Sequence, residues 1–169
     1  TVAHVGDSRA MLIRSGHLSR LTRDHSMVRQ MVDAGLLTDA EAAQHPDANK
    51  ITRALGMTVE VEVEVQPAPL ELLAGDVLLL ATDGVTDLVG DSDLLSVVQD
   101  HLSRGSAAVC RRIVELGNAR GGHDNLTVQT VQVLEVPQGH PQAVRSGRGE
   151  TVLLEDALPE PPPTQRLTE

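Results

Sequence analysis

The sequence has no phenylalanine, tyrosine or tryptophan among its 169 residues. Without aromatic rings the chain cannot stack on bases or sugars, and its core has to be built from aliphatic side chains and methionine. A single cysteine, Cys110, excludes an intramolecular disulfide framework and a cysteine-rich zinc site. No stretch approaches the roughly 18 uninterrupted apolar residues of a membrane helix.

Basic residues are also scarce, 14 against 24 acidic ones, so the net charge is −10. This balance argues against a protein that binds nucleic acid, because phosphate contacts need a basic face. With no membrane segment in the chain, a cytoplasmic location is the expectation. Apolar residues make up 40% of the chain, which is enough for the core of one domain.

The chain begins with the alternating residues Thr1 to Val5, which predict a half-buried strand. A strand at the first residue needs neighbours, so we expect the chain to be the C-terminal part of a larger domain. A second strand is predicted at 10–14, and the turn at 6–9 between the two predicts a hairpin.

Four helices are predicted from capping residues and apolar spacing. One runs from Asp24–Ser26 to Gly35, and Thr38 with Glu41 forms a capping box that opens a short second helix. Two longer helices are predicted downstream. Asp91 or Ser92 caps the first, which reaches residue 102, and Ser106 caps the second, which ends at the glycine pair 121–122.

The later strand signals are of two kinds. Residues 59–65 alternate Val and Glu with a strict period of two, which predicts a strand with its valines inward. The three glutamates could hold a cation, but a solvated outer face is the simpler interpretation. The apolar run 77–81 predicts a strand buried on both faces, and residues 126–136 alternate as a closing strand.

The composition changes after Val136. Six of the nine prolines lie in residues 137–169, which have no sustained periodicity. We therefore expect residues 1–136 to form the folded part of the chain and residues 137–169 to be a proline-rich flexible tail.

Three aspartates follow or join predicted strands beside glycines. Asp83 comes directly after the apolar run, Asp124 lies in a glycine-rich loop before the closing strand, and Asp7 lies in the first turn. A carboxylate at the mouth of a buried strand needs a partner, and three such groups at one sheet edge would suit Mg²⁺ or Mn²⁺. The alternative is that they are ordinary Asx-turn residues.

Five motifs in order resemble the C-terminal part of the metal-dependent Ser/Thr protein phosphatases, the PPM or type 2C family, in its bacterial form. Each motif is modest alone, but the ordered set spans nearly everything except the tail. The motifs are Val5-Gly6-Asp7-Ser8-Arg9-Ala10, Leu21-Thr22-Arg23-Asp24-His25-Ser26, Ile51-Thr52-Arg53-Ala54-Leu55-Gly56, Gly75-Asp76-Val77-Leu78-Leu79-Leu80-Ala81-Thr82-Asp83-Gly84 and Gly122-His123-Asp124-Asn125-Leu126-Thr127.

The resemblance implies an α+β fold, a sandwich of two antiparallel β-sheets flanked by antiparallel helices, here truncated at its N-terminal side. Residues 26–56 match the family's flap, an insert beside the active site. Asp83 and Asp124 match aspartates that bind the binuclear metal centre, and Asp7 matches one that helps to bind a third ion. Asn125 would orient its loop, and His25 would be structural.

The cofactor implied is Mn²⁺ or Mg²⁺, and the substrates implied are proteins phosphorylated on serine or threonine, so that the enzyme would counteract Ser/Thr kinases. The metal ions would activate a water for attack on phosphorus, with no catalytic side chain assigned beyond the metal ligands. The family also uses an arginine, a bridging aspartate in a Gly-Asp-Gly-His-like motif and a histidine from its N-terminal half. Residues 1–169 contain no match to that block, so we expect this polypeptide alone to be poorly folded or inactive.

Three alternatives compete with this hypothesis, and the weakest of them is a purely structural acidic protein. The strand ending in Asp83-Gly84 is similar to that of haloacid-dehalogenase-type phosphatases, but Val85 stands where that family needs a second aspartate. A catalytically silent phosphatase-like sensor or docking module is the alternative from another class. Retention of all three aspartates counts against it.

Overall fold

The computed structural model describes residues 1–136, so the tail predicted at 137–169 lies outside the described residues. The described part consists of short strands, three short helices and a pair of longer helices near its C-terminal end. In chain order the elements are β1 (Ala3–His4), β2 (Arg9–Arg14), β3 (His17–Arg20), α1 (Met27–Asp33), α2 (Asp39–Ala43), β4 (Glu64–Val65), β5 (Val77–Ala81), α3 (Asp83–Thr86), α4 (Asp91–His101), a 3₁₀ turn (Leu102–Arg104), α5 (Ser106–Ala119) and β6 (Val128–Gln132).

The larger sheet has four antiparallel strands in the order β3-β2-β5-β6. Strand β5 lies in its centre and pairs with β2 on one side and β6 on the other. Helices α4 and α5 cover one face of this sheet. The core between the two layers is aliphatic with one methionine, as the absence of aromatic residues requires: Met11, Ile13, Val77, Leu79, Ala81, Val85, Val89, Leu94, Val97, Val98, Val109 and Ile113.

The opposite face of the sheet is less covered, and this corrects the expectation that β5 is buried on both faces. Leu79 is fully buried against the helices, whereas Leu80 on the other face is 44% exposed. Val131 of β6 is similarly exposed on this strand pair. A continuous apolar run cannot by itself distinguish one buried face from two.

The predicted hairpin between the first two strands is wrong. Strand β1 pairs with β4 in a separate two-stranded sheet, with Ala3 opposite Val65. The turn between β1 and β2 therefore passes from one sheet to the other. Gly6, at φ 106°, has a backbone conformation that favours glycine. Its carbonyl accepts a hydrogen bond from the amide of His25 at 3.0 Å instead of closing a hairpin.

The prediction of a long strand at 59–65 with its valines inward is also wrong, both in the length of the strand and in the burial of the valines. Only Glu64–Val65 is a strand, because β1 offers a partner of only two residues. Val59 is fully exposed, and Val63 and Val65 are each about half exposed. A period of two therefore does not create a buried face where no second layer covers it.

Local capping signals were more reliable. Ser26 caps α1 by accepting a hydrogen bond from the Arg29 amide, and Thr38 with Glu41 forms the predicted capping box of α2. Both long helices are confirmed, but each begins earlier than predicted. Their N-caps are Gly90 and Gly105, the glycines that precede the predicted polar caps. No helix within residues 1–136 has the length and apolarity needed to cross a bilayer.

Candidate metal centre

The strand register brings the predicted aspartates to one end of the larger sheet. Arg9 of β2 and Val128 of β6 both lie opposite Ala81, the last residue of β5. Asp7 precedes β2 by two residues, Asp83 follows β5 by two and Asp124 lies in the loop that enters β6. Adjacent antiparallel strands therefore deliver all three from the same sheet end.

Asp7 and Asp83 are close enough for their charges to interact. Desolvation by burial raises the pKa of the Asp7 carboxyl above its usual range, and the negative charge of Asp83 raises it further. Arg9 acts in the opposite direction without cancelling these effects. The result is a pair of carboxylates with an uncompensated negative charge, which is an electrostatic setting that favours a bound cation.

Asp83 is placed by the start of α3, directly after the central strand. Its Oδ1 accepts a hydrogen bond from the amide of Gly84 at 2.8 Å. The side chain of Thr82, the N-cap residue of α3, donates to the carbonyl of Asn125 at 3.1 Å and accepts from the amide of Thr127 at 3.2 Å. The strand end and the Asp124 loop are thereby tied together.

Gly84 explains how close the Asp124 loop comes. A Cβ at position 84 would lie 2.6 Å from the carbonyl oxygen of Asn125 and 3.2 Å from the Cβ of Asp124. Only glycine therefore permits this approach of the loop backbone to α3. Asp124 itself is exposed, and its Oδ1 accepts from the amide of Asn125 at 2.6 Å, so Asn125 contributes to the loop through its backbone.

Asp87 is a further acidic residue of this region that the sequence analysis did not identify. It follows Asp83 by four residues, and its amide donates to the Asp83 carbonyl at 2.8 Å. Desolvation by the surrounding protein raises its pKa although the residue keeps exposed surface, and the charges of Asp83 and, more weakly, Asp7 add to the effect. The spacing of four residues on a helix at a strand end was the available signal.

Arg9 is a cation close enough to lower the pKa of Asp7 and Asp87, but its guanidinium is already paired with another residue. Its guanidinium donates to both carboxylate oxygens of Asp24, with the shortest N–O distance at 2.6 Å. Both side chains are more than four-fifths buried. A bidentate pair of this kind holds β2 and the segment at residue 24 together. Among residues 1–136, no cationic side chain forms an ion pair with Asp7, Asp83 or Asp87.

The three predicted ligands are not drawn tightly together. Within residues 1–136, the only three side chains whose ligand atoms lie mutually within 4.8 Å are His4, His25 and Glu64. Like-charged carboxylates repel one another, so a looser arrangement is the expected one for these three. The oxygen-only donor set nonetheless fits hard divalent ions such as Mg²⁺ and Mn²⁺ and is a poor match for zinc.

Comparison with known proteins agrees with this architecture. Residues 15–134 match the sequence profile of the Stage II sporulation protein E (SpoIIE) family. Protein phosphatase PhpP of Streptococcus pneumoniae is 38% identical over 133 residues, which is 79% of this chain and 52% of PhpP. The chain belongs to the PPM, or type 2C, phosphatase family. The type 2C resemblance predicted from the five motifs is thus confirmed.

Solved type 2C structures confirm the fold class as well. The crystal structure of the Mycobacterium tuberculosis Ser/Thr phosphatase PstP superimposes with a TM-score of 0.67 at 39% identity, covering 79% of this chain and 54% of PstP. A second PstP catalytic-domain structure, in complex with two manganese ions, gives 0.65 at 36% identity, covering 79% and 53%. The fold is the type 2C α+β sandwich. The chain spans about half the length of PhpP and of the two PstP structures.

Proposed function

We propose that this chain provides part of the active site of a metal-dependent Ser/Thr protein phosphatase. In this proposal Asp83 and Asp124 are ligands of a binuclear Mn²⁺ or Mg²⁺ centre, and Asp7 is a ligand of a third ion. The observation that carries it is the convergence of carboxylates at one sheet end, where the pKa values of Asp7 and Asp87 are raised by desolvation and by Asp83. Uncompensated carboxylates at the edge of a sheet are the setting of a cation site.

The chain's own residues would do three things in the reaction. Asp83, at the start of α3, offers the central carboxylate, and the glycine at position 84 lets the loop of Asp124 approach it. The Arg9–Asp24 pair holds the start of β2, which follows Asp7, to the segment at residue 24. These side chains would hold divalent ions, whose Lewis acidity would lower the pKa of water and neutralise charge on phosphoryl oxygens. Asp87 is proposed as an additional ligand or a hydrogen-bond acceptor for coordinated water on the acidic rim, the name used here for Asp7, Asp83 and Asp87.

The substrate class is proposed from the relatives. PhpP is named a protein phosphatase, and PstP is named a serine/threonine protein phosphatase. We therefore propose phosphoserine and phosphothreonine on proteins as substrates, with Ser/Thr kinases as the opposing activity. The cytoplasmic location stays a prediction. The expectation that this polypeptide is inactive alone is also retained, because no Gly-Asp-Gly-His-like block occurs in its 169 residues.

The test compares the chain alone with a chimera. In the chimera, the stretch of PhpP that matches this chain is replaced by residues 1–136. Hydrolysis of a phosphothreonine peptide with Mn²⁺ should be near background for the chain alone and clearly measurable for the chimera. Asp83→Asn in the chimera should lower kcat by at least about 100-fold, because it removes a ligand charge. Asp100→Asn, on the exposed side of α4, is the matched control and should change kcat less than about twofold.

Three outcomes decide between the functions. A chimera that folds and binds Mn²⁺ but does not hydrolyse the peptide would favour the silent sensor or docking module. A chimera whose activity survives Asp83→Asn would refute the ligand assignment. Robust turnover by the 169-residue chain alone, lost in Asp83→Asn, would keep the phosphatase function and refute the expected inactivity of the isolated chain.

A further inference from the structure

His25 makes two hydrogen bonds to the backbone of Gly6, the residue before Asp7. The His25 amide donates to the Gly6 carbonyl at 3.0 Å, and the Gly6 amide donates to Nδ1 of the His25 ring at 3.1 Å. The side chain is only 6% exposed. A buried ring that accepts from a backbone amide holds that amide in one place, so His25 fixes the start of the turn at residues 6–8, here called the Asp7 turn.

Gly6 and Glu64 together determine which nitrogen of His25 carries the proton. Because Gly6 can only donate, Nδ1 must be the accepting nitrogen, and the proton of the neutral ring lies on Nε2. That nitrogen lies 3.1 Å from Oε2 of Glu64, which accepts its hydrogen. His4 stacks on the ring, with the two centroids 4.6 Å apart, and its own Nε2 donates to the carbonyl of Arg23 at 2.8 Å.

The same hydrogen bonds argue against a metal ion at His4, His25 and Glu64, although their ligand atoms lie within 4.8 Å of one another. A histidine that binds a metal coordinates through one nitrogen and donates the hydrogen of the other. In His25 the nitrogen directed at Glu64 carries the proton, and the other is already accepting from Gly6. The ring therefore has no free lone pair for a cation.

His25 also lies at the base of the segment 26–56, the part that matches the family's flap. Its carbonyl accepts from the amide of Thr52 at 2.7 Å, and the next residue, Ser26, forms a β-bridge with Ile51. One residue thus contacts the Asp7 turn through its ring and amide and the returning end of the segment through its carbonyl. His25 therefore links the two parts directly.

We propose that His25, kept in its Nε2-protonated form by Glu64, is a positioning residue that holds the Asp7 turn and the base of segment 26–56 in register. This inference rests on the proposed function, in which Asp7 is a ligand of the third ion. His25 touches neither that ion nor the substrate in this proposal. It acts by keeping the Asp7 backbone where its carboxylate lies beside Asp83.

The first experiment measures amide hydrogen exchange in the metal-free 169-residue chain. Glu64→Ala should speed exchange of the Gly6 amide about fivefold, because the ring loses the acceptor that fixes its tautomer. Glu64→Gln should stay within about twofold, since the amide oxygen can still accept. Glu62→Ala is the matched control: Glu62 is an exposed neighbour that pairs with Arg53 at 3.1 Å, and its loss should leave Gly6 unchanged. The amide of Leu79 reports global opening and should not change.

The ring is tested by a pair of substitutions at position 25. His25→Asn keeps an oxygen near the place of Nδ1 and should restore most of the Gly6 protection that His25→Leu removes. Equal losses in both variants would overturn the proposal. So would unchanged Gly6 exchange in Glu64→Ala, a surface substitution that does not threaten folding even if the position 25 variants fail to fold.

The second readout separates positioning from plain support. In Mn²⁺ titrations followed by electron paramagnetic resonance, Glu64→Ala should raise the concentration that half-saturates the weakest site about fivefold, whereas Glu64→Gln and Glu62→Ala should not. Faster Gly6 exchange with unchanged Mn²⁺ affinity would mean structural support alone and would overturn the proposal. A wild-type chain that binds no Mn²⁺ under any condition would contradict the proposed metal site, while the exchange data would still decide whether His25 holds the turn.

Discussion

Carboxylates that lie close together without a cation repel one another. In this molecule Asp83 is close to both Asp7 and Asp87. Its charge helps to raise the pKa of both Asp7 and Asp87. A raised carboxyl pKa means that the ionised group destabilises the metal-free fold at neutral pH, and that this cost disappears as the pH falls. The acidic rim is thus a place where ion binding and stability of the empty chain oppose each other.

Asp83→Asn should therefore separate stability from metal binding. We expect the free energy of unfolding of the metal-free chain to stay equal or to rise by up to about 1 kcal/mol, because one repelling charge is removed. Urea unfolding in a chelator, followed by circular dichroism since the chain has no tryptophan or tyrosine, measures it. Asp100→Asn on the exposed side of α4 is the control. A loss of more than about 1 kcal/mol in Asp83→Asn would show that this carboxylate serves the fold.

Asp76 is a buried carboxylate whose pKa is lowered, whereas the pKa values of Asp7 and Asp87 are raised. It is 1% exposed and accepts from Nε and Nη2 of Arg14 at 2.7 and 2.6 Å and from the Leu73 amide at 2.8 Å. The hydrogen bonds from Arg14 lower the pKa of Asp76. Because the folded value lies below the unfolded value of about 3.9, the stabilisation is present at higher pH and is lost as the pH falls through the folded value.

Asp76→Asn should lower the free energy of unfolding at pH 7 by about 2 to 4 kcal/mol, since it removes a buried carboxylate that accepts two charged hydrogen bonds from Arg14. It should also flatten the fall in stability below about pH 4. Urea midpoints measured between neutral and acid pH check both effects. Asp91→Asn, which breaks the exposed pair with Arg20, should cost less than about 1 kcal/mol. Equal costs for the two variants would contradict the importance of burial.

Sequence reasoning at the residue scale found strand-end aspartates and missed the groups whose role depends on tertiary neighbours. Asp7, Asp83 and Asp124 could be singled out because each follows a strand or a glycine turn. Asp87 follows neither a strand nor a glycine turn, and only its spacing of four residues from Asp83 marks it in the sequence. Glu64 was interpreted as one of three solvated glutamates, and only the folded chain brings its carboxylate to the ring of His25.

At the scale of elements, the contact between α3 and the loop before β6 depends on one missing side chain. A Cβ at position 84 would lie 2.6 Å from the Asn125 carbonyl oxygen, which is backbone and cannot rotate away. We expect Gly84→Ala to displace the Asp124 loop, to destabilise the chain by about 1 to 3 kcal/mol and to weaken Mn²⁺ binding. Calorimetric Mn²⁺ titration and urea unfolding measure the two effects. Gly90→Ala, with no atom within 4 Å of its added Cβ, is the control.

A second prediction at this scale concerns the two faces of β5, which differ in how much their side chains contribute to stability. Leu79→Ala should cost about 3 to 5 kcal/mol, because it leaves a cavity under α4 and α5. Leu80→Ala, on the face that is 44% exposed, should cost less than about 1.5 kcal/mol. Thermal unfolding of the two variants under one condition checks the difference. Similar losses would mean that the outer face of this strand is packed as tightly as the inner one.

Helices were easier to predict than strand partners for a physical reason. A cap such as Ser26 or the Thr38–Glu41 box acts within four residues, so it can be identified locally. The partner of β1 lies some 60 positions away in β4, and nothing in residues 1–14 distinguishes that pairing from a hairpin with β2. Pairing is decided by what covers each face, which only the folded chain shows.

For the whole molecule, a net charge of −10 and an acidic rim predict that divalent cations bind and stabilise the folded chain. If Mn²⁺ binds the native state alone, a concentration 100 times its dissociation constant should add about 2.7 kcal/mol to the free energy of unfolding. The increase should follow the logarithm of the Mn²⁺ concentration, because it is a linkage effect at a site and not general screening.

Two controls distinguish the site from the overall charge. Sodium chloride at matched ionic strength screens repulsion throughout the molecule, so it should act equally on the wild type and on Asp83→Asn. Mn²⁺ should stabilise the wild type and leave Asp83→Asn at the level that salt alone gives. Equal Mn²⁺ stabilisation of both chains, measured by urea unfolding over a series of Mn²⁺ concentrations, would place the bound cation away from Asp83 and would contradict the metal centre at this sheet end.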